Sequence, residues 1–363
     1  MKVVMTLVVR DEADIVDSVL GFHLEAGVDF VIATDHASQD GTEEILRRYA
    51  REGHLSLAHE GPGELRQSEW VTRMARLAAT DHGADWVLNV DADEFWWPRH
   101  GTLREIFAAV PQRFGVVRAL QRHFAPRAGG VRAPFSESMV ARHPSSSDSS
   151  ELYQAQTKVA HRANAHVVVP SGNHDAYGDG LVLLREWFPI EVLHFPVRSL
   201  DQMRAKFSRR LSTAPFARAM RERIAARGAD EVYADLAVDD ERLRVEVAAG
   251  RLAVDVRLRD ALRAGSTACV PLPEGVVPES ALDAERAFVA DVGVLMTTDA
   301  GVEFERDLGE LDRRLARVLA RRWSAARVPR LLAGAFSNAH RRRPCLIVRT
   351  TLFAPTRSPA TRC

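Results

Sequence analysis

Cysteine is scarce in this chain, and so is lysine. Three cysteines, Cys269, Cys345 and Cys363, are spread over 363 residues. They are too few and too scattered for a disulfide framework or a zinc site, which fits a reducing, cytoplasmic setting. No stretch reaches the about eighteen consecutive apolar residues that mark a transmembrane helix. The apolar start from Met1 to Val9 stops at Arg10-Asp11-Glu12, too early for a signal h-region, and reads as a first strand. Net charge is missing as well: 49 basic residues balance 49 acidic ones, so no global field argues for a nucleic-acid partner. Locally the balance fails, because thirteen arginines and no acid follow Asp312. Such a cationic tail suits peripheral contact with the inner face of a membrane. Among the basic residues only Lys2, Lys158 and Lys206 are lysines. A site wanting a compact ammonium in place of a planar guanidinium would explain Lys158.

What the chain does hold is apolar material for one large core or two ordinary ones, at 46% hydrophobic residues. Its most informative stretch is Trp86-Val87-Leu88-Asn89-Val90-Asp91-Ala92-Asp93-Glu94-Phe95-Trp96-Trp97-Pro98. The apolar run to Val90 reads as a buried strand. It ends in three carboxylates within four positions, where desolvation is costly unless a cation compensates. If the strand persists, its two-residue period puts Asp91 and Asp93 on one side and Glu94 on the other. Two hard oxygen donors at the carboxyl end of a strand suit Mg or Mn, ions that usually hold substrate phosphates as well. An acidic surface turn is the plainer alternative, but Phe95 to Pro98 continue apolar where a solvated turn becomes polar.

The first hundred residues alternate strand and helix. Strands are predicted over Val3 to Val9, Val28 to Thr34, His54 to His59 and Trp86 to Val90. Helices are predicted over Glu12 to Ala26, Thr42 to Tyr49 and Ser68 to Asp81, the second capped by Asp40 or Thr42. The pattern predicts an α/β fold with a mostly parallel sheet, whose ligands sit beyond the carboxyl ends of the strands. Three polar clusters fall on that rim: Arg10-Asp11-Glu12; Asp35 with Ser38, Asp40, Gly41 and Thr42; and Asp91-Ala92-Asp93-Glu94. In the order and spacing of these motifs the chain resembles the family 2-like glycosyltransferases of the GT-A fold, although that family usually has Asn at the position of Asp11. The resemblance covers residues 1–210. It implies a GT-A-like sheet flanked by helices and a nucleoside-diphosphate sugar as donor. It further implies hexosyl transfer to a hydroxyl acceptor, glycan or lipid-linked, by an inverting course. In its terms Arg10, Glu12 and Asp35 shape the nucleotide pocket, and Asp91 and Asp93 hold the donor diphosphate through a divalent cation, Mn or Mg.

Beyond Pro98, Thr102 to Val110 is predicted helical and Gly115 to Leu120 a strand, with a polar connection over Ser145 to Ser150. His194 lies in Val192-Leu193-His194-Phe195-Pro196-Val197-Arg198-Ser199. On the resemblance it is the third metal ligand; on local signals alone, a single His after an apolar stretch is more often a core residue. The general base is left between Asp175, which follows His174 in a Gly-Asn turn, and Glu94 beside the metal pair. Residues 211–363 are predicted mainly helical and Arg-rich, with a proline-rich linker over Val270 to Pro278 and a helix over Val302 to Ala326. Two alternatives stand beside the transferase. One is a haloacid-dehalogenase-like phosphotransferase, in which the first Asp of the DxD is a nucleophile. The other is a non-catalytic nucleotide-sugar-binding domain.

Overall fold

A computed structural model of the protein describes residues 1–128, 133–143, 156–185, 187–208, 215–263 and 271–296, with residues 315 and 317 besides. Its first part alternates as the sequence pattern predicts: β1 (Val3–Val9), α1 (Val16–Glu25), β2 (Phe30–His36), α2 (Thr42–Arg51), β3 (Leu55–Glu60), α3 (Gln67–Thr80) and β4 (Trp86–Asp91). Helix α1 starts four residues later than its apolar spacing suggests, because the loop before it is tied to the next crossover. The amide of Asp11 donates to Ser38 Oγ at 3.0 Å, that of Glu12 to Thr42 Oγ1 at 2.9 Å and that of Ala13 to Asp40 Oδ2 at 3.0 Å. Asp11 itself has a φ of 52°, in the left-handed region that Asp and Asn tolerate best among residues with a Cβ.

The chain continues through β5 (Glu94–Pro98), α4 (Leu103–Ala109), β6 (Val116–His123), α5 (Phe135–Ser138), β7 (Ala141–Arg142), β8 (Thr157–Arg162), β9 (Leu183–Leu184) and β10 (Ile190–His194). Helix α4 begins on a capping box in which Thr102 and Glu105 satisfy each other's amides. The remainder is α6 (Leu200–Ser208), α7 (Pro215–Arg227), α8 (Ala229–Leu236), α9 (Asp240–Ala248), β11 (Ala253–Val254), α10 (Arg257–Leu262) and α11 (Ala281–Met296).

The strands form one large sheet in the order β3-β2-β1-β4-β8-β6-β10-β5, with β9 beside β6. Strands β1, β2, β3 and β4 are parallel, as are β6, β9 and β10; β8 and β5 run antiparallel to their neighbours. This is the mostly parallel α/β arrangement expected of a GT-A-like fold. Side chains of β1 alternate between two cores: Val3, Met5, Leu7 and Val9 pack with Val16, Val19 and Leu20 of α1, while Val4 packs with Val71, Met74 and Ala75 of α3. Burial of both faces explains why the strand reads as an unbroken apolar run. The chain lays β2 and β3 to one side of β1 and then returns to place β4 on the other. The crevice beyond the carboxyl ends of β1 and β4 is therefore the switch point where open α/β sheets bind ligands.

One expectation fails at that point. Strand geometry does not persist to Asp93: the chain turns at Ala92 and Asp93 and re-enters the sheet as β5, with Glu94 opposite His194 of β10. The turn cancels the two-residue period, so Asp91 and Asp93 diverge, and it is Glu94 that shares a partner with Asp91.

The later helices pack onto this body. Strand β11 pairs with β7, and buried Arg122 of β6 bonds both Glu191 and Asp291 of α11. The proline-rich stretch expected as a linker packs against the protein: Val276 is buried beside Val254 and Leu252. No helix among the described residues is long and apolar enough to cross a membrane. The Ser145–Ser150 connection, the three cysteines and the Arg-rich tail lie outside the described residues, as does the helix expected over Val302 to Ala326 apart from Leu315 and Arg317.

Two histidines of the core make stability depend on pH. His23 donates from Nδ1 to the Val19 carbonyl at 2.7 Å and accepts the Trp96 amide on Nε2 at 3.2 Å, so a second ring proton would face an N–H. Burial lowers the pKa of His23, and likewise that of fully buried His161, to about 4. The unfolded chain therefore binds more protons than the folded one between about 4 and 6.5, and stability is lost as pH falls through that window. Urea titrations at pH 7.5 and pH 5 are expected to differ by on the order of 2 kcal/mol per histidine, and H23Q is expected to flatten the dependence.

Candidate active site

Asp91 closes β4 and is satisfied from three sides. Its Oδ1 accepts from Gln67 Nε2 of α3 at 2.8 Å and from Asn173 Nδ2 at 2.9 Å, and its Oδ2 accepts from Lys158 Nζ of β8. The same ammonium lies 2.9 Å from Glu94 Oε1 and donates to the Gly172 carbonyl at 2.8 Å. The loop that supplies Gly172 and Asn173 is shaped for this purpose. Gly172 has a φ of 88°, and a Cβ there would lie 2.6 Å from the His174 ring. Asn173 follows at a φ of 58° and is fully buried. Glu94 is also fully buried, and accepts from Gln121 Nε2 at 2.9 Å. Burial pushes its carboxyl up to about 7 against the pull of Lys158, with the neighbouring Asp91 and Asp93 charges adding to the rise. For Lys158, burial works against the charged form, but Asp91 and Glu94 outweigh it and raise the ammonium above its ordinary range.

Asp93 belongs to a second cluster. Its Oδ2 accepts from Lys206 Nζ of α6 at 2.6 Å, and its Oδ1 stands 3.5 Å from His194 Nε2. Burial disfavours the ionised carboxyl, yet Lys206 and His194 hold it well below the usual carboxylate range. His194 is placed by His123, the two Nδ1 atoms being 3.0 Å apart. Lys206 also faces Glu12 Oε1 at 3.5 Å, and Glu12 is bonded by Arg198, which reaches Asp14 as well. Counted as ionised, the carboxylates of Glu12, Asp14, Asp91, Asp93 and Glu94 face three cations, Lys158, Arg198 and Lys206. Each cluster thus holds one more carboxylate than cations, and in the first the raised carboxyl of Glu94 lessens the excess.

Of the other expected site residues, Asp35 ends β2 on the same rim. Its Oδ2 accepts the Ser38 amide at 3.2 Å, as an ordinary turn carboxylate does. Its Oδ1 is buried with no hydrogen-bond partner, and a carboxylate oxygen in that state is built to receive a donor. Arg10 follows β1 on the same rim, with Nη1 3.4 Å from His36 Nε2 and a buried Nε that has no hydrogen bond but stands 3.7 Å from Asp11 Oδ2. Asp175 is half-buried in the loop that carries Asn173, without a side-chain bond to either cluster. Gln67, Lys158, Asn173, Arg198 and Lys206 complete the site although motif spacing does not single them out as such. The scarcity of lysine was the sequence signal for two of them, since two of the three lysines converge here, while Arg198 and Asn173 lie in the runs around His194 and His174.

A divalent ion fits part of this donor set. With ion–ligand distances of about 2.1 Å, two donors on one ion lie at most roughly 4.2 Å apart, and Asp93 Oδ1 and His194 Nε2 are within that limit. Asp91 is turned to other partners: Gln67, Asn173 and Lys158 take three of its roughly four lone-pair sites. Among the described residues no three His, Cys, Asp or Glu side chains converge on one ion position, so the remaining ligands would come from substrate oxygens and water.

The sheet and its switch-point crevice define the class: an α/β protein with an acidic, lysine-braced site at the carboxyl ends of its parallel strands. No protein-family profile and no curated protein sequence matches the chain. Among solved structures it is similar to residues 1–349 of S. aureus TarS in complex with UDP-GlcNAc, over 77% of this chain and 99% of that one, at 13% identity and a TM-score of 0.35. It is similar to a longer TarS chain over 64% of its own length and 44% of that chain, at 14% identity and a TM-score of 0.32. It is also similar to glucosyl-3-phosphoglycerate synthase from Mycobacterium tuberculosis in complex with Mn2+, UDP and glucosyl-3-phosphoglycerate. That likeness covers 33% of this chain and 44% of that one, at 20% identity and a TM-score of 0.24. At such TM-scores the function has to be read from the site itself.

The Lys158 cluster predicts its own stability cost. K158M leaves Asp91 and Glu94 facing each other without their common cation, and is expected to lower unfolding stability by about 3 kcal/mol. Adding E94Q to K158M is expected to restore part of that loss, which denaturant titration of the two variants checks.

Proposed function

We propose that the protein is a glycosyltransferase that moves a hexosyl group from a nucleoside-diphosphate sugar to a hydroxyl acceptor, glycan or lipid-linked. The observation that carries this is the pair formed by Asp93 Oδ1 and His194 Nε2 at the sheet's switch point, in a cluster where the carboxylates of Asp93, Glu12 and Asp14 outnumber the cations Lys206 and Arg198. Asp93 and His194 would hold a divalent cation, Mn or Mg. When bound it supplies Lewis-acid stabilisation of the charge that develops on the leaving diphosphate.

The chain's own residues do the rest. The unpartnered Oδ1 of Asp35 accepts from the base or ribose, and Arg10 on the same rim binds the same nucleotide. Asp91, held rigidly by Gln67, Asn173 and Lys158, sets the position of the turn that presents Asp93. The acceptor oxygen attacks the anomeric carbon as the bond to the diphosphate oxygen breaks, and the hydroxyl proton passes to a carboxylate. Asp175 is the base in this scheme: it is half-buried, whereas Glu94 has no exposed surface and is enclosed by Lys158 and Gln121. Glu94 acts as a positioning residue for the turn. A single displacement of this kind inverts the anomeric centre. The haloacid-dehalogenase alternative needs the first Asp free as a nucleophile, and the three bonds on Asp91 oppose it.

A panel of nucleotide-sugars incubated with the protein and Mn tests the proposal through slow release of free nucleoside diphosphate. D93N is expected to lower that rate by on the order of 100-fold, and to lower stability too because Lys206 loses its carboxylate; rates are compared at a temperature where both proteins are folded. H194A is expected to lower the rate likewise and to weaken Mn binding. A protein that binds none of the panel, with or without Mn, is not a glycosyltransferase; one that binds a donor and releases nothing is a binding domain.

A further inference from the structure

We propose that Lys206 is an exchangeable counter-ion: its ammonium neutralises Asp93 in the free site and turns to the donor's diphosphate when a divalent ion takes Asp93 and His194. The inference rests on the glycosyltransferase reading and gives that site a residue for the diphosphate. Two lysines serve the acidic turn, and they are built differently. Lys158 is 3% exposed on a central strand, and its ammonium is committed to Asp91, Glu94 and the Gly172 carbonyl. With three acceptors for three N–H bonds, nothing remains for a ligand. Lys206 stands on α6 at the rim, its side chain 30% exposed. Only its bond to Asp93 is short, at 2.6 Å; the Pro196 carbonyl and Glu12 lie at 3.3 and 3.5 Å. Glu12 has Arg198 as its firm partner and does not depend on Lys206.

The bond to Asp93 is also the one that an ion would contest. Lys206 occupies one oxygen of the carboxylate whose other oxygen faces His194. A divalent ion there repels the ammonium across a single carboxyl group. The same ion brings phosphate oxygens to the rim, where a point charge on a flexible four-carbon stem can follow them. Lys206 thus keeps a buried carboxylate paired before the donor arrives and meets the diphosphate afterwards.

The two halves of this role have opposite signs. Calorimetry with full-length protein would titrate Mn without nucleotide. It would then titrate UDP, GDP, ADP and CDP at saturating Mn, following whichever binds the wild type tightest. K206Q is expected to bind free Mn about tenfold more tightly, because a competing cation is gone, and that nucleotide about tenfold more weakly. K206R, which keeps the charge, is expected to bind free Mn as the wild type does. It also provides the test should K206Q fail to fold, since tightened Mn binding by K206R would contradict competition by charge. Unchanged or weakened Mn affinity in folded K206Q, with a wild type that binds both ligands, overturns the role of Lys206 and leaves the glycosyltransferase reading standing. A wild type that binds neither Mn nor any of the four nucleotides overturns that reading, and this inference with it.

Discussion

The site depends on one buried charge interaction, the ammonium of Lys158 between Asp91 and Glu94. The end of β4 and the start of β5 bring Asp91 and Glu94 into the interior of the protein, where each alone would be driven to protonate or to unfold the turn. A single lysine from β8, antiparallel to β4, reaches across and binds both. Because Lys158 also holds the Gly172 carbonyl, the same group fastens the Gly172–Asp175 loop to the end of β4. Asn173 then completes Asp91 from that loop. Position, charge and loop conformation are settled together, so the turn that presents Asp93 has little freedom left.

Compensation is incomplete. The carboxylates outnumber the cations in contact with them, and at Glu94 burial, with the Asp91 and Asp93 charges adding to it, raises the carboxyl to about 7 in spite of Lys158. Asp93, at the rim, has one oxygen on Lys206 and the other toward an imidazole. Around it the first loop is held by Ser38, Asp40 and Thr42. Residues that resemble a nucleotide motif in sequence thus serve mainly to shape the rim, and Asp35 alone among them keeps a buried acceptor free of partners.

The outer helices are joined to this body by a second ionic network rather than by apolar contact alone. Arg122, Glu191, Arg257, Asp255 and Arg142 link β6, β10, α10 and β7, and α11 joins through Asp291. Burial opposes the ionised form of Glu191, but Arg257 and Arg122 overcome it and keep its carboxyl far below the ordinary range. The preference for arginine makes sense here: planar forks can serve two acids each, which an ammonium does less well.

Much of the architecture could be read from the chain alone. Alternating apolar periods placed β1, α2, α3 and β4 within a few residues of where they lie, since both faces of each central strand are buried and each helix has one apolar side. The rim location of Arg10, Asp35, Asp91 and Asp93 followed from the same alternation. Local signals could not show the turn at Ala92 and Asp93, because an apolar run through Phe95 and Trp96 reads alike whether it extends one strand or opens another. Nor could they assign Lys158, Asn173 or Lys206 to individual carboxylates, which lie 67, 82 and 113 residues away from them in the chain. Those pairings exist only because β8, a loop and α6 are folded against the end of β4. The sequence determined which segments would be strands and which groups needed charge compensation; the tertiary structure decided which strands meet and which cation compensates which acid.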